Sequence, residues 1–470
     1  MATAALNIGE VFGGIGSLEK TKHDVLSSAL NFFSKSTVEP YMESGSKAYV
    51  WPVSRTNDSG PFDFDIPSGG HNQFFQTHDI RLNGSFRIVR ADNGEPITQA
   101  LHADHVGLVN NYPHSLWKSI EIHINGQLIS SLSGNHYAHK SFLENLLSYD
   151  EQTMNTITAD YLWKSPTIDD EANYHVLDHH AKSKEMAAKG HGGAALNFSI
   201  PLNFDFIHVS KLIPPGVNMR FKFVRNPDSF TFLNRRAADA QGAVPAVTAG
   251  IECKIAFDEL YMSIRKIDID AGFSNRVQKS VMSGNAMGYD FTRTEIKTWQ
   301  IPAGQTIKHV QGMFSGKLPK MIILGMLDSR AFSGDRFYDP YCFQPFGLTD
   351  IRLVRNNTLC PALPYQPTKE GYARMYRDFH DNLGNVGNVD VATTITPKMF
   401  ETTKFLLVET FAPPGGHAFE EFRSTYGDIS VTANFAAQEH PITLMAFGCW
   451  NSNYFISGEP KILQTADQLE

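Results

Sequence analysis

Histidine is the residue type here most able to do chemistry, with 18 in the chain. His175, His179, His180 and His191 fall in one polar stretch with Asp178, and His136 and His139 flank a helical pattern that also carries Glu144. Imidazole and carboxylate together could hold zinc or iron. The spacing argues against it: no HExxH occurs, and His102 and His105 are too far apart for the HxH pair of a cupin site. A polar surface loop explains the first group, and helix packing the second. The carboxylate runs Asp169-Asp170-Glu171, Asp258-Glu259 and Glu420-Glu421 fail as glycosidase pairs, which need two acids facing one cleft. Sequence neighbours on a strand point to opposite faces. Gly312-Met313-Phe314-Ser315-Gly316-Lys317 is one residue short of a phosphate loop, and Leu318 stands where Ser or Thr would hold magnesium. Gly13-Gly14-Ile15-Gly16 lacks the spacing and preceding strand of a dinucleotide fingerprint, and no GxSxG elbow exists. The four cysteines, Cys253, Cys342, Cys360 and Cys449, are far apart with no CxxC. They read as reduced, mostly buried thiols. No catalytic, cofactor-binding or metal-ligating residue is singled out, and no cofactor is expected.

The elements that would have to position such groups are mostly strands. The chain has 470 residues, enough for two domains with ordinary cores. The composition is 42% apolar and 11% aromatic with 33 Phe, which favours pleated, half-buried surfaces, and 36 Gly and 24 Pro supply frequent turns. In Ser119–Ser130, Ile120, Ile122 and Ile124 alternate with Glu121 and His123, then Asn125-Gly126 turns the chain and Gln127–Ser130 returns. Asn-Gly between alternating segments is a strong hairpin signal. His78–Val89 alternates likewise. Further strands are expected at 195–202, 218–224, 252–267, 294–301, 321–327, 351–354, 403–409, 428–435 and 442–450. Long helices are few: one at Tyr137–Leu147, and one in residues 17–35, where Leu18, Val25, Leu26, Ala29, Leu30 and Phe33 recur at roughly helical spacing. So many strands with so little helix between them predict antiparallel sandwiches.

A faint repeat runs through this pattern. The strand before Asn125-Gly126 and the helix opening at Tyr137-Ala138 have counterparts in the strand before Asn356-Asn357 and in Tyr372-Ala373. The turns lie 231 residues apart and the Tyr-Ala pairs 235. This order suggests a duplicated domain, with the boundary in the Ser/Gly/Asn-rich stretch between Asp268 and Gly288. The expected organisation is an arm over 1–45, a first unit over 46–270 and a second over 271–470. Net charge is −8, from 41 basic and 49 acidic residues without a basic run, so no direct sequence-specific nucleic-acid binding is expected. The first residues lack the pattern of a secretory signal, and the apolar run Met321–Leu327 is too short to span a bilayer. The sequons at Asn57, Asn83, Asn197 and Asn356 read as chance matches.

Taken in order, several segments resemble the double jelly-roll major capsid proteins of Polinton (Maverick) elements and adintoviruses, and more distantly those of virophages and large DNA viruses. Val109–Trp117 (VNNYPHSLW) running into IEIHINGQLIS is similar to that family's NNFLHSLF stretch and the strand after it. Tyr137–Tyr149 (YAHKSFLENLLSY) resembles its YxYrAyLEtLLnY helix. Lys211–Val217, with Pro214-Pro215, is similar to LLPGV. Thr292–Lys297 and Ile301–Gly304 are similar to TRTEVKTFTIPAG, and Gly316–Lys320 with Phe332–Gly334 to GQLPKRVIVGLVDNDAFNG. The series covers roughly residues 68–450. It departs from the family at Tyr112-Pro113, where Phe-Leu is usual, at the extra proline of Pro214-Pro215, and in the long Asp169–Gly193 loop.

The resemblance implies an all-β fold of two tandem eight-stranded antiparallel jelly rolls behind a short N-terminal helical arm. It also implies a homotrimer forming a pseudo-hexameric capsomer, or hexon, that tiles an icosahedral shell around double-stranded DNA. The partners would be neighbouring capsomers, a penton protein and other minor or internal capsid proteins, in a virion assembled inside the host cell and not secreted. Loops 169–193, 235–250 and 384–398 could decorate the rim or clasp neighbours. The rival readings are a two-jelly-roll glycoprotein amidase, a glycan-binding protein, and a domesticated capsid gene that no longer builds particles.

Overall fold

The computed structural model describes residues 41–53, 60–97, 106–131, 136–149, 156, 181–234, 252–383, 393–411 and 426–456. The first half contributes β1 (Met42–Val50), β2 (Phe62–Ile66), β3 (Gln73–Arg90), β4 (Val106–Leu108), β5 (Trp117–Ile124), β6 (Gln127–Ser131), β7 (Leu196–Pro201), β8 (Met219–Arg225), β9 (Phe232–Asn234) and β10 (Cys253–Ile269). The second half contributes β11 (Met287–Ile301), β12 (Ile307–Lys317), β13 (Met321–Asp328), β14 (Leu348–Arg355), β15 (Thr358–Tyr365), β16 (Leu406–Thr410), β17 (Tyr426–Phe435) and β18 (Ile442–Ile456).

These strands form four sheets of four strands, ordered β1-β10-β3-β7 and β2-β8-β5-β6 in the first half, β11-β18-β13-β16 and β12-β17-β14-β15 in the second. β4 and β9 pair apart from them. Leaving that pair aside and ranking strands along each half, both halves read 1-8-3-6 and 2-7-4-5, with antiparallel pairing throughout. That order, with long-range pairing of the first and last strands, is a jelly roll, and the chain contains it twice.

Alternation explains the sheets. Along β5 the inward Trp117, Ile120, Ile122 and Ile124 are buried while Lys118 and Glu121 face outward. In β8, Met219, Phe221 and Phe223 alternate with Arg220, Lys222 and Val224. The two hairpin turns both use left-handed backbone: Asn125 and Gly126 at φ 49° and 80°, Asn356 and Asn357 at φ 48° and 64°. Two successive positive φ values match the right-handed twist of the flanking strands.

Every expected strand is present, most of them longer than the pattern indicated. The strand expected at 403–409 begins at Leu406, because Pro397–Thr402 forms a helix capped by the Thr396 hydroxyl, which accepts from the Met399 amide at 3.3 Å. The expected helix appears as α1 (His136–Ser148). The Ser/Gly/Asn-rich stretch forms α2 (Ala271–Met282), whose N-cap Asp270 accepts from Phe273 N at 2.9 Å. The Tyr372-Ala373 pair opens α3 (Ala373–Asn382). β15 was hidden by its prolines; it lies at the end of its sheet, where a missing amide is tolerated. β1 starts at Met42, so the last residues expected in the arm pair with β10. The helix expected at 17–35 lies outside the described residues, as do residues 169–180, 235–250 and 384–392 of the three long loops; the described part of the first loop carries a short helix, Ala181–Ala188. No helix among the described residues is long and apolar enough to cross a membrane.

Candidate functional site

The charged groups that matter most to this molecule lie in the seam between its two rolls. α1 brings Lys140 into the interior, its side chain 1% exposed. Its Nζ lies 2.7 Å from Asp205 Oδ1 and 3.1 Å from Glu144 Oε1, and donates to Asn203 O at 3.1 Å. Asp205 then crosses the seam: Thr294 on β11 donates its amide to Oδ2 at 2.8 Å and its hydroxyl to Oδ1 at 2.6 Å. A buried ammonium is costly unless paired and hydrogen-bonded, and this one is both. Burial alone would push the Lys140 pKa down; the Asp205 and Glu144 carboxylates outweigh it and leave the pKa raised. Burial likewise raises the Glu144 carboxyl, only partly countered by Lys140.

An amide and hydroxyl ladder fixes α1 on its other side. Asn111 and Asn203 each donate to Ser141 Oγ at 3.1 Å, Asn145 donates to Asn111 Oδ1 at 3.2 Å, and Asn203 donates to Asn145 Oδ1 at 3.0 Å. From the second roll, Tyr341 reaches back. Its hydroxyl lies 2.5 Å from Ser115 Oγ, and its ring stacks on Phe142 with centroids 4.2 Å apart and planes 1° from parallel. Lys404 donates to Tyr341 O at 2.8 Å and sits 5.3 Å over the Phe142 ring. Further down the seam, Lys211 donates to Gly288 O at 2.6 Å and the Tyr289 hydroxyl to Leu212 O at 3.0 Å. Apolar packing, cation–π contact and charge-assisted hydrogen bonds therefore join the rolls at several places.

The arrangement fastens; it does not converge on a reacting centre. His139 sits among the rings of Phe230, Phe332 and Tyr341, as expected of helix packing. Burial lowers the His136 pKa, and pushes that of His114 down to about 3, which keeps its ring neutral beside the Tyr137 hydroxyl at 3.0 Å. Glu144 faces Lys140, not the histidines. No cluster of three or more potential metal ligands occurs among the described residues. His175, Asp178, His179 and His180 lie outside them; His191 is in a short 3-10 turn. Gly312–Lys317 is strand, inside β12, and Lys317 Nζ donates to Asn451 O at 3.1 Å. Asp258 pairs with Arg87 at 2.6 Å across a strand pair that carries a bulge beside it. The other two carboxylate runs and Gly13–Gly16 lie outside the described residues. All four cysteines are free thiols, and burial pushes Cys253, Cys342 and Cys449 up to about 12, where they are unreactive.

Sequence reasoning did not single out Lys140, Asp205, Thr294, Ser115, Tyr341 or Lys404. One signal was available for Lys140. It stands among the apolar positions of α1 beside Tyr137 and Leu143, and a lysine there must find a carboxylate. Its seam partner Asp205 lies 65 residues downstream and Thr294, which holds Asp205, 154 residues downstream, and no spacing announces them.

Solved structures carry the same double architecture. The major capsid protein of Faustovirus superposes with a TM-score of 0.57 at 11% identity, covering 90% of this chain and 92% of that one. The fold is therefore a double jelly roll. The Sputnik virophage structure determined by cryo-EM matches with a TM-score of 0.53 at 12% identity, over 95% of this chain and 93% of that one. VP54 of PBCV-1 gives 0.53 at 9% identity, over 91% of this chain and all of that one. In sequence, an uncharacterized protein of Caenorhabditis elegans is 24% identical over 340 residues, 71% of this chain and 75% of the relative. No known family profile matches the chain.

Proposed function

We propose that this protein is a major capsid subunit of the double jelly-roll type. Three copies close into a pseudo-hexameric capsomer, and capsomers tile an icosahedral shell around a double-stranded DNA genome. The observation that carries the reading is the duplication itself: two rolls of identical strand order, fastened by a seam of buried charge and aromatic stacking. Two like wedges in a rigid chain turn a threefold ring into an object with six similar corners. The likeness to viral major capsid proteins along nine-tenths of both chains supports it.

On this reading the protein is structural and not an enzyme. Asp258 on a sheet and Asp205 in the seam are engaged in ion pairs, and the chain's charge of −8 fits a shell that leaves the genome to other proteins. The partners are two further copies, neighbouring capsomers, and penton and minor capsid proteins. The location is the virion, assembled inside the host cell. Kinship to Polinton and adintovirus capsids rests on the ordered sequence segments quoted above.

The deciving experiment is simple: the mass of the purified protein in solution, followed by negative-stain imaging of the same sample. A mass three times the 52.4 kDa chain with hexagonal particles or closed shells is expected. A monomer that forms no assemblies at any salt concentration would overturn the proposal and favour the glycan-binding or amidase reading.

A further inference from the structure

α2 is a helix with an unfinished side. Over Ala271–Met282 it buries Ser274 alone. Phe273, Val277 and Val281, at positions i, i+4 and i+8, share one face, and each is only half-buried. Met282 at its end is 83% exposed. A helix with an apolar stripe ordinarily presses that stripe on a neighbour.

The stripe borders a cavity of about 510 Å³ between α2, the start of β1, the end of β10 and the start of β11. Phe273, Val277, Met42, Phe74, Ile269 and Met287 contribute apolar walls, and Lys211 stands among them with its ammonium turned to Gly288 O. The volume is within the range of sites that accept several large side chains. Tyr41 also lines it, with its ring 4.8 Å from that of Phe273 and the Arg276 guanidinium 5.5 Å above. Tyr41 is the first described residue, so residues 1–40 join the described chain at the wall of this cavity.

Those residues carry the complementary pattern. Leu18, Val25, Leu26, Ala29, Leu30 and Phe33 recur at helical spacing. Seven residues lie between Phe33 and Tyr41, eight steps that reach up to about 26 Å in extended chain, enough to fold back over the stripe. We propose that residues 17–35 of the same chain dock as an amphipathic helix on the Phe273–Val277–Val281 stripe and fill this cavity with their apolar face. The site requires no other copy and is independent of whether the copies assemble into a shell.

Hydrogen–deuterium exchange on the full chain and on a chain lacking residues 1–35 tests this. Amides of 271–282 are expected to exchange at least about tenfold faster in the truncated chain, while β3 and β18 keep their protection. In the full-length background, Leu30→Asp and, separately, the half-exposed Val277→Asp are expected to give the same local loss. They keep the test available if the truncated chain does not fold. Equal protection of 271–282 in all four proteins would overturn the proposal. So would protection restored to the truncated chain by mixing it with full-length protein, which would place the docked segment in a second copy. Protection of the full chain that appears only with vesicles of anionic phospholipid would overturn it as well, assigning the stripe to a membrane surface.

Discussion

Helices α1 and α3 occupy the same place in the two rolls, each following an Asn-led hairpin and preceding the sixth strand of its jelly roll, yet they are used differently. α1 buries nine of its residues, among them Lys140, and stands in the seam. α3 buries only Met375 and Phe379, resting them on the helix of residues 397–402 through rings such as Phe379 and Phe400, 5.5 Å apart. One of its ion pairs faces water: Arg377 and Asp381 pair at 3.2 Å with both side chains about half-exposed or more. Duplication supplied two equivalent helices, and only the first became a joint. The second is left on the surface of its roll. An ion pair inside α1 and one outside α3 therefore have the same chemistry and very different consequences.

The largest expected effect breaks that contrast directly. Lys140→Met leaves the buried Asp205 without its cation, and the partly exposed Glu144 beside it, a change that costs about 3–5 kcal/mol. Arg377→Met removes an exposed i,i+4 pair on α3 and costs under about 0.5 kcal/mol. Urea unfolding followed by tryptophan fluorescence measures both. Adding Asp205→Asn to Lys140→Met is expected to recover part of the loss, since the stranded charge is the main penalty. Equal, small losses for the two single variants would mean that the seam does not depend on buried charge.

Next is pH. Glu409 on β16 faces α3, and its carboxyl is pushed up to about 7, first by burial, then by the Asp378 carboxylate, with Arg355 opposing. Asp378 is itself held by the Tyr365 hydroxyl at 3.0 Å. A folded-state pKa above the ordinary 4.5 means that the folded chain holds the proton more tightly than the unfolded chain. This stabilisation is full below about 4.5 and is lost as pH rises through about 7. Glu409→Gln is expected to flatten the dependence in that window by about 1–3 kcal/mol, read as the difference between unfolding midpoints at pH 5 and pH 8. An unchanged pH dependence would show that Glu409 does not titrate there. In the α1 region the raised Glu144 has Lys140 beside it, so the two helices also differ in how their neighbouring acid is compensated.

A smaller effect comes from the stacked contact. Tyr341→Phe keeps the ring on Phe142 and removes the hydroxyl 2.5 Å from Ser115, at an expected cost of about 1 kcal/mol. No measurable change in the urea midpoint would confine Tyr341 to its stacking role.

How much of this was legible follows from range. The β5–β6 hairpin announced itself because Ile120, Ile122, Ile124 and the Asn125-Gly126 turn are local, and alternation is enforced by burial of one face. The repeat was legible through the same device, since both turns use the same backbone. β15 was not, because Pro361 and Pro364 argue against a central strand and only its edge position admits them. α2 was missed because its residues suggested a linker, while Asp270 capping Phe273 N was an available signal. The seam was least legible. Lys140 hinted at a partner, but Thr294 meets Asp205, and Tyr341 meets Phe142 of α1, only after both rolls close, and pairing across 89 or 199 residues leaves no local trace.

The smallest prediction returns to the two hairpins. Gly126 sits at φ 80° with open space where a Cβ would be, and Asn357 at φ 64° does the same work with a side chain. Gly126→Ala therefore meets no clash and costs only the left-handed backbone, about 1 kcal/mol. Asn357→Gly relieves that strain but frees the unfolded chain, and the two nearly cancel, leaving a few tenths of a kcal/mol in either direction. Asn356 is not its equal. Its Oδ1 accepts from Asp428 N at 2.9 Å, which ties the turn to β17, whereas Asn125 accepts through Oδ1 from Asn218 N at 2.9 Å just before β8. Both first-position asparagines thus bind the seventh strand of their roll or the residue leading into it. Asn125→Ala and Asn356→Ala are accordingly expected to cost about the same, roughly 1 kcal/mol each. Unequal losses would show that the rolls diverged even where their backbones still agree.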